Sequence, residues 1–177
     1  GDAMLAKGFP AAHAVGRGAT PARAPRILML RFRGSRLAPT VALVGKGVVF
    51  DTGGLDIKPR SSMRNMKKDM GGAAVALGLA RTLLELGTDL NLLVVIGAVE
   101  NAVSAGSFRP GDVLQTRKGL TVEVGDTDAE GRLMVTLEAP IAVEDAAADP
   151  RAVCEGGDPA LDFAELLRYD VECREQQ

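Results

Sequence analysis

The sequence predicts an α/β fold, a mixed sheet flanked by helices, and three observations carry that prediction. Arg26 to Phe32, Thr40 to Val44 and Asn91 to Ala98 are short runs rich in aliphatic and β-branched residues, which read as strands. These runs are apolar at successive rather than alternate positions, so both faces of the sheet must be covered. Between the second and third runs, about Gly71 to Leu86 is Ala- and Leu-rich with a helical period. Strands alternating with a helix place that helix on the sheet.

The remaining elements follow from local chemistry. His13 lies in an Ala/Gly stretch that reads as irregular, and Val48 to Phe50 continues the second strand. Asp51 to Met66 holds Gly53-Gly54, a proline and polar residues, and is expected to be a loop. Asp69 falls in the N-cap neighbourhood of the helix, and Gly87 is its stop. Glu100 to Asp112 reads as a loop. Val113 to Thr116 and Thr121 to Val124 make a hairpin around Lys118-Gly119, and a further helix starts beyond the loop Gly125 to Gly131. There is no internal repeat.

The chain has 177 residues, 46% hydrophobic and 25% charged, with a formal net charge of -2. That suits one globular domain able to bury roughly 70% of its unfolded surface. It excludes a collagen-like or wholly disordered chain. No run of about 18 apolar residues occurs, so no membrane span is expected. Cys154 and Cys173 are too few for a disulfide framework, which points to a reducing, cytoplasmic setting. Aromatics at 3% and a near-neutral charge argue against nucleic-acid binding. The charge is unevenly spread. Residues 1–134 carry 18 basic and 12 acidic residues, whereas 135–177 carry 3 and 11, so we expect a boundary there and an acidic tail that is helical or poorly ordered.

Several chemistries lack raw material. His13 is the single histidine, there is no G-x-S-x-G elbow, and Gly45-Lys46-Gly47 lacks the Ser or Thr of a phosphate loop. What remains is a set of carboxylates where strands end: Asp51, Asp69, Asp128 and Glu130. Asp128 and Glu130 are two apart, so in an extended loop they would point the same way. Four acids brought together repel one another unless a divalent metal compensates them, and two ions about 3.5–4 Å apart can share carboxylates. Of the six lysines in a chain with 15 arginines, Lys46, Lys58, Lys67 and Lys68 fall in one short stretch. Unlike arginine, a lysine can lose its proton and act as a ligand, so Lys46 could complete such a site. The alternative is that these acids are solvated or capping residues.

Four strings say more than the spacing. VGKGVVFDTGGLDIKP (44–59), MKKDMGGAA (66–74), ENAVSAGSFRPGD (100–112) and DTDAEGRL (126–133) together resemble the leucyl aminopeptidase, or cytosol aminopeptidase, family. DAMLAKGF (2–9) is similar to the helical region just before that family's catalytic core. The resemblance covers roughly residues 3–134, so 1–134 stands for the N-terminal part of a metalloaminopeptidase catalytic domain. The fold is then truncated relative to the family's catalytic domain.

Carried over residue by residue, the resemblance implies two divalent ions, zinc, manganese or magnesium, and a water that attacks the first peptide bond of a peptide substrate. Lys46 and Asp69 would ligate one ion, Asp128 the other, and Asp51 and Glu130 both. Lys58 would stabilise the oxyanion. Arg132 would hold a bicarbonate, and Met66 would line the pocket for a Leu-like first side chain. Met63 and Met70 read as packing residues, and Glu100 and Asp112 as structural. The family's subunits form a hexamer. Asp126 stands where the family has Asn, which adds a negative charge beside the metals, and residues 135–177 depart from the family, although ALDFAELL (160–167) is similar to one of its later strands. The favoured reading is a metal-dependent aminopeptidase. The alternatives are an inactive truncated remnant that retains a metal site, and an unrelated α/β binding domain.

Overall fold

The computed structural model describes residues 1–136. The expected acidic tail lies outside the described residues but for its first two positions. Strands β1 (Arg26–Phe32), β2 (Thr40–Asp51) and β3 (Asn91–Asn101) form a sheet in the order β1-β3-β2. β1 runs antiparallel to β3 and β2 parallel to it, so the sheet is mixed as expected. Helices α1 (Ala3–Ala6) and α2 (Pro10–Gly16) precede it, and α3 (Arg60–Met63) and α4 (Gly71–Glu85) connect β2 to β3. A separate hairpin follows, β4 (Val113–Gln115) with β5 (Thr121–Glu123), and Gly119 takes a left-handed conformation between them.

Four local expectations are corrected. His13 is helical, because Pro10 opens α2 at the position where a missing N–H costs nothing and the alanines continue it. β2 is one strand of 12 residues, unbroken at Gly45-Lys46-Gly47, since β3 supplies partners from Thr40 to Val48 and again for Phe50 and Asp51. β3 takes in Glu100 and Asn101, which the sequence assigned to a loop. The stretch after Asp51 is not all loop: α3 and a 3-10 turn, Met66–Met70, lie before α4.

β3 explains the architecture. Its alternate residues belong to two different cores: Leu93, Val95 and Val99 pack with α1, α2, Phe108, Val124 and Met134, while Leu92, Val94 and Ile96 pack against α4 and β1. A central strand covered on both faces must be continuously apolar, which is how β3 reads in the sequence. α4 meets its face through Ala73, Ala76 and Ala80, spaced as one helical stripe. The small residues let helix and sheet approach closely, and Gly45 is the point of closest fit. A Cβ there would lie 2.8 Å from the Ala73 Cα and 2.9 Å from the Gly72 carbonyl oxygen.

This contact yields a stability test. Gly45→Ala should destabilise the fold by about 1–3 kcal/mol through overpacking. Gly78→Ala, on the open side of α4 where a Cβ would meet nothing within 4 Å, should stabilise it by about 0.5–1 kcal/mol. Urea midpoints of the two variants check both signs, and an unchanged midpoint for Gly45→Ala would contradict the close helix–sheet contact.

Candidate metal centre

The site lies at the carboxyl ends of the parallel strands β2 and β3, where open α/β sheets place their ligands. Lys46 and Asp51 both come from β2, five residues apart. In a regular strand an odd separation puts two side chains on opposite faces. The β2–β3 register, however, shifts between Val48 and Phe50, leaving Val49 without a counterpart. One extra residue reverses the alternation. Lys46, opposite Gly97, and Asp51, opposite Asn101, thereby reach the same side of the sheet. Gly131 leaves room for the lysine stem, since a Cβ there would lie 3.0 Å from its Cδ and Cε.

Beyond Asp51 the backbone must turn at once. Gly53 and Gly54 both have positive φ (87° and 68°), which side-chain-bearing residues rarely adopt. The Gly53 N–H donates to Asp51 Oδ1 at 2.8 Å, and the turn brings Lys58 back over the strand end. The second carboxylate loop is locked to this turn by Thr127, which is fully buried. Its hydroxyl donates to the Gly53 carbonyl at 2.6 Å and accepts from the Asp56 N–H at 2.9 Å. Thr127–Ala129 forms a 3-10 turn rather than an extended loop, so strand alternation is not what brings the Asp128 and Glu130 oxygens within reach of one another. Asp126 caps this turn, accepting the Asp128 N–H at 2.8 Å. That bond needs a side-chain oxygen that Asn also possesses, which accounts for Asp in this place.

Two ammonium groups divide the four acids. Lys46 Nζ lies 2.7 Å from both Asp69 Oδ2 and Glu130 Oε1. Lys58 Nζ is 2.9 Å from Asp51 Oδ2 and pairs as well with Asp128. Burial opposes the charge on each lysine, but the bonds from their carboxylates prevail and hold both amines above the ordinary lysine range. Burial also opposes ionisation of Asp51. There Lys58, the Gly53 N–H and the Asn101 amide prevail, so its carboxyl titrates below the usual range. Glu130 goes the other way: burial, reinforced by the Asp51 charge, raises it despite Lys46.

Two lysines against four carboxylates leave a surplus of negative charge. Oxygens of Asp51, Asp128 and Glu130 lie within 4.8 Å of one another, close enough to share an ion. Glu130 is fully buried, and its Oε2 has no hydrogen-bond partner among the described residues. An unpartnered buried carboxylate oxygen is costly unless a cation meets it. The donor set therefore fits divalent metal, with hard oxygens and one amine.

The structure thus brings together Lys46, Asp51, Lys58, Asp69, Asp128 and Glu130. It leaves Arg132 exposed at the start of a π-helix, Arg132–Thr136, the helix expected beyond Gly131. Met66 is buried, and an open cavity of about 560 Å³ beside Lys58 is lined by Arg60, Met63 and Arg64 instead. Met63, read as a packing residue, faces that cavity, while Met70 is exposed. Glu100 and Asp112 hold Arg23 and Arg17, as structural residues should. Sequence reasoning missed Asn101, whose amide donates to Asp51 Oδ1 at 2.9 Å and to the Thr127 carbonyl at 3.0 Å. A polar residue ending an apolar strand was its one signal.

Residues 1–155 match the model of the cytosol aminopeptidase family, catalytic domain. A probable cytosol aminopeptidase of Pseudomonas fluorescens (strain SBW25) is 44% identical over 129 residues, which take in 72% of this chain and 26% of that protein. The chain thus spans about a quarter of the length of the curated relatives it matches. Among solved structures, the cytosol aminopeptidase of Coxiella burnetii superposes with a TM-score of 0.75 at 50% identity, covering 80% of this chain and 30% of that one. A bottromycin maturation enzyme in complex with Mn gives 0.70 at 38% identity, with coverage of 85% and 32%.

Metal and proton should compete at this centre. A divalent ion at a hundredfold excess over its Kd should stabilise the fold by about 2.7 kcal/mol. That gain should shrink as pH falls, because the ligands must shed protons to bind. Glu130 titrates higher in the fold than in the unfolded chain, so its ionised form costs stability as pH rises through the folded value. Glu130→Gln should therefore raise the Tm of the metal-free chain near pH 8 while abolishing most of the metal-induced rise. Equal metal shifts in both chains, followed by thermal unfolding with manganese or zinc, would remove Glu130 from the centre.

Proposed function

The chain belongs to the cytosol aminopeptidase family, within its catalytic domain, and on that basis we propose that it is a metal-dependent aminopeptidase releasing N-terminal, preferably Leu-like, residues from peptides. Lys46 and Asp69 would hold one divalent ion, Asp128 the other, and Asp51 and Glu130 both. Manganese and zinc suit this mixed oxygen and amine set, with magnesium as a third candidate. When bound, the pair supplies an acidified water and a polarised scissile carbonyl.

The chain's own residues do the rest. Four carboxylates balance the charge of two divalent ions, so the Lys58 ammonium remains as uncompensated positive charge. It sits at the strand end, tethered by Asp51 and Asp128, whose carboxylates raise its pKa in the metal-free chain. A fixed cation there suits an oxyanion that develops as the carbonyl is attacked, the kind of preorganised charge that carries much of catalysis. Lys46 must give up its proton to serve as a ligand, and Asp69 and Glu130, both in contact with it, lie ready to lose their hold on it as metal binds. Asn101, Thr127 and the Gly53 N–H are positioning groups that keep Asp51 and the Asp128 loop in place. Arg132, solvent-facing two residues past Glu130, would hold a bicarbonate that takes the proton from the water. Met66 would supply apolar surface for the first side chain. A cytoplasmic setting and a family-like hexamer belong to the same reading.

The observation that carries this reading is the convergence of Asp51, Asp128 and the partly unpartnered Glu130, with Asp69 joined to Glu130 through Lys46 and with Lys58 across Asp51 and Asp128. Leucine release from leucine p-nitroanilide, with manganese or zinc added, is the test. Turnover should require metal, vanish in Glu130→Ala, and fall by about 10²–10³ in kcat for Lys58→Ala. A folded, metal-loaded chain without turnover would overturn the enzyme reading and leave a metal-site remnant.

A further inference from the structure

The open cavity beside Lys58 has an unusual lining. Of its four residues, Lys58, Arg60, Met63 and Arg64, three are cationic and none is acidic. Lys58 is committed to Asp51 and Asp128. Arg60 and Arg64 are exposed and meet no carboxylate among the described residues. Residues 60–68 read RSSMRNMKK, so Lys67 and Lys68 add two more cations with no acid between them. Nearby carboxylates are engaged elsewhere: Asp56 accepts from the Thr127 N–H at 2.8 Å, and Asp69 meets Lys46. A cleft walled by one sign of charge raises the local concentration of opposite charge.

We infer that Arg60 and Arg64 receive a carboxylate of the bound peptide, so that peptides carrying a carboxylate close to the scissile bond are the preferred substrate class. This inference rests on the aminopeptidase reading, because it takes Lys58 to mark where the scissile carbonyl sits. A guanidinium is suited to the task. Its planar donors match a carboxylate in two parallel bonds, and it never loses its charge. Arg60 and Arg64 are four apart across the short helix α3 and its C-cap, so they rise from one face of the turn. The volume of about 560 Å³ is sufficient for a residue beyond the cleaved one. Two sources offer the same chemistry: the terminal carboxylate of a dipeptide, or an acidic side chain following the first residue.

Four peptides separate these sources: leucylglycine, leucylglycinamide, leucyl-aspartyl amide and leucyl-asparaginyl amide. With the full manganese-loaded chain, KM and the calorimetric Kd should be about tenfold lower for a carboxylate-bearing peptide than for its neutral counterpart. The glycine pair reports the terminal source and the aspartyl pair the side-chain source. In an Arg60→Gln/Arg64→Gln chain the ratio should collapse to about one, whereas Arg81→Gln, in α4 and outside the cavity lining, should keep it. High salt should narrow the ratio in the wild-type chain. Equal treatment of acid and neutral peptides by the wild-type chain, or a ratio that survives the double substitution, would overturn the inference. Absence of leucine release from every peptide defeats the aminopeptidase reading instead, and the calorimetric ratios then still decide the carboxylate preference.

Discussion

Like-charge repulsion among Asp51, Asp69, Asp128 and Glu130 is the constraint around which the rest of this structure is arranged. Bringing four acids to one strand end costs stability, and the protein offsets that cost with a fixed set of partners. Lys46 and Lys58 take two acids each. The Gly53 N–H and the Asn101 amide attend to Asp51. The compensation stops short at Glu130, which is fully buried with one oxygen unpartnered. A fold selected for stability alone would place Gln or an apolar residue there, because a buried carboxylate oxygen without a hydrogen-bond donor is costly even when its neighbour is paired. The residual negative charge makes sense as metal affinity held in reserve.

The scaffold serves that arrangement in small local departures from regularity. The register shift around Val49 turns Asp51 onto the face of Lys46. Two left-handed glycines fold the chain back so that Lys58 covers the same strand end. Thr127 fastens the loop that carries Asp128 to that turn from within the core. None of these features contributes much apolar burial. They sit instead on a sheet whose central strand is packed on both faces, and that packing supplies the rigidity a preorganised charge cluster needs.

Cations are allotted to two distinct tasks. Those inside the cluster are lysines, of which Lys46 would yield its proton to a competing ion and Lys58 would keep its own. Those outside it, on α3 and just beyond, include two arginines that keep their charge under all conditions. The division puts the exchangeable amine of Lys46 among the clustered carboxylates and permanent positive charge beside them. Asp126 serves the cluster through its oxygen, which caps the turn that carries Asp128.

Much of the fold was legible in the residues themselves. β1, the helix after Asp69, the stop at Gly87 and the β4–β5 hairpin follow from local periodicity and turn chemistry, which short-range sterics enforce wherever the chain lies. The identities of Lys46, Asp51, Lys58, Asp69, Asp128 and Glu130 were legible too, because unusual residue types at strand ends and four family strings marked them. Their meeting was not. By alternation alone Lys46 and Asp51 belong on opposite faces, and only pairing with β3 introduces the shift that unites them. Asp128 and Glu130 are set by a 3-10 turn that Asp126 caps locally and that Thr127 ties to Gly53 across a long sequence separation. Asn101 joins the centre because β3 runs two residues further than its apolar run. Sequence by itself determined which chemical groups were available and the regular elements that carry them. Tertiary structure decided which of those groups touch, because register, bulges and buried hydrogen bonds depend on a partner strand that no local window contains.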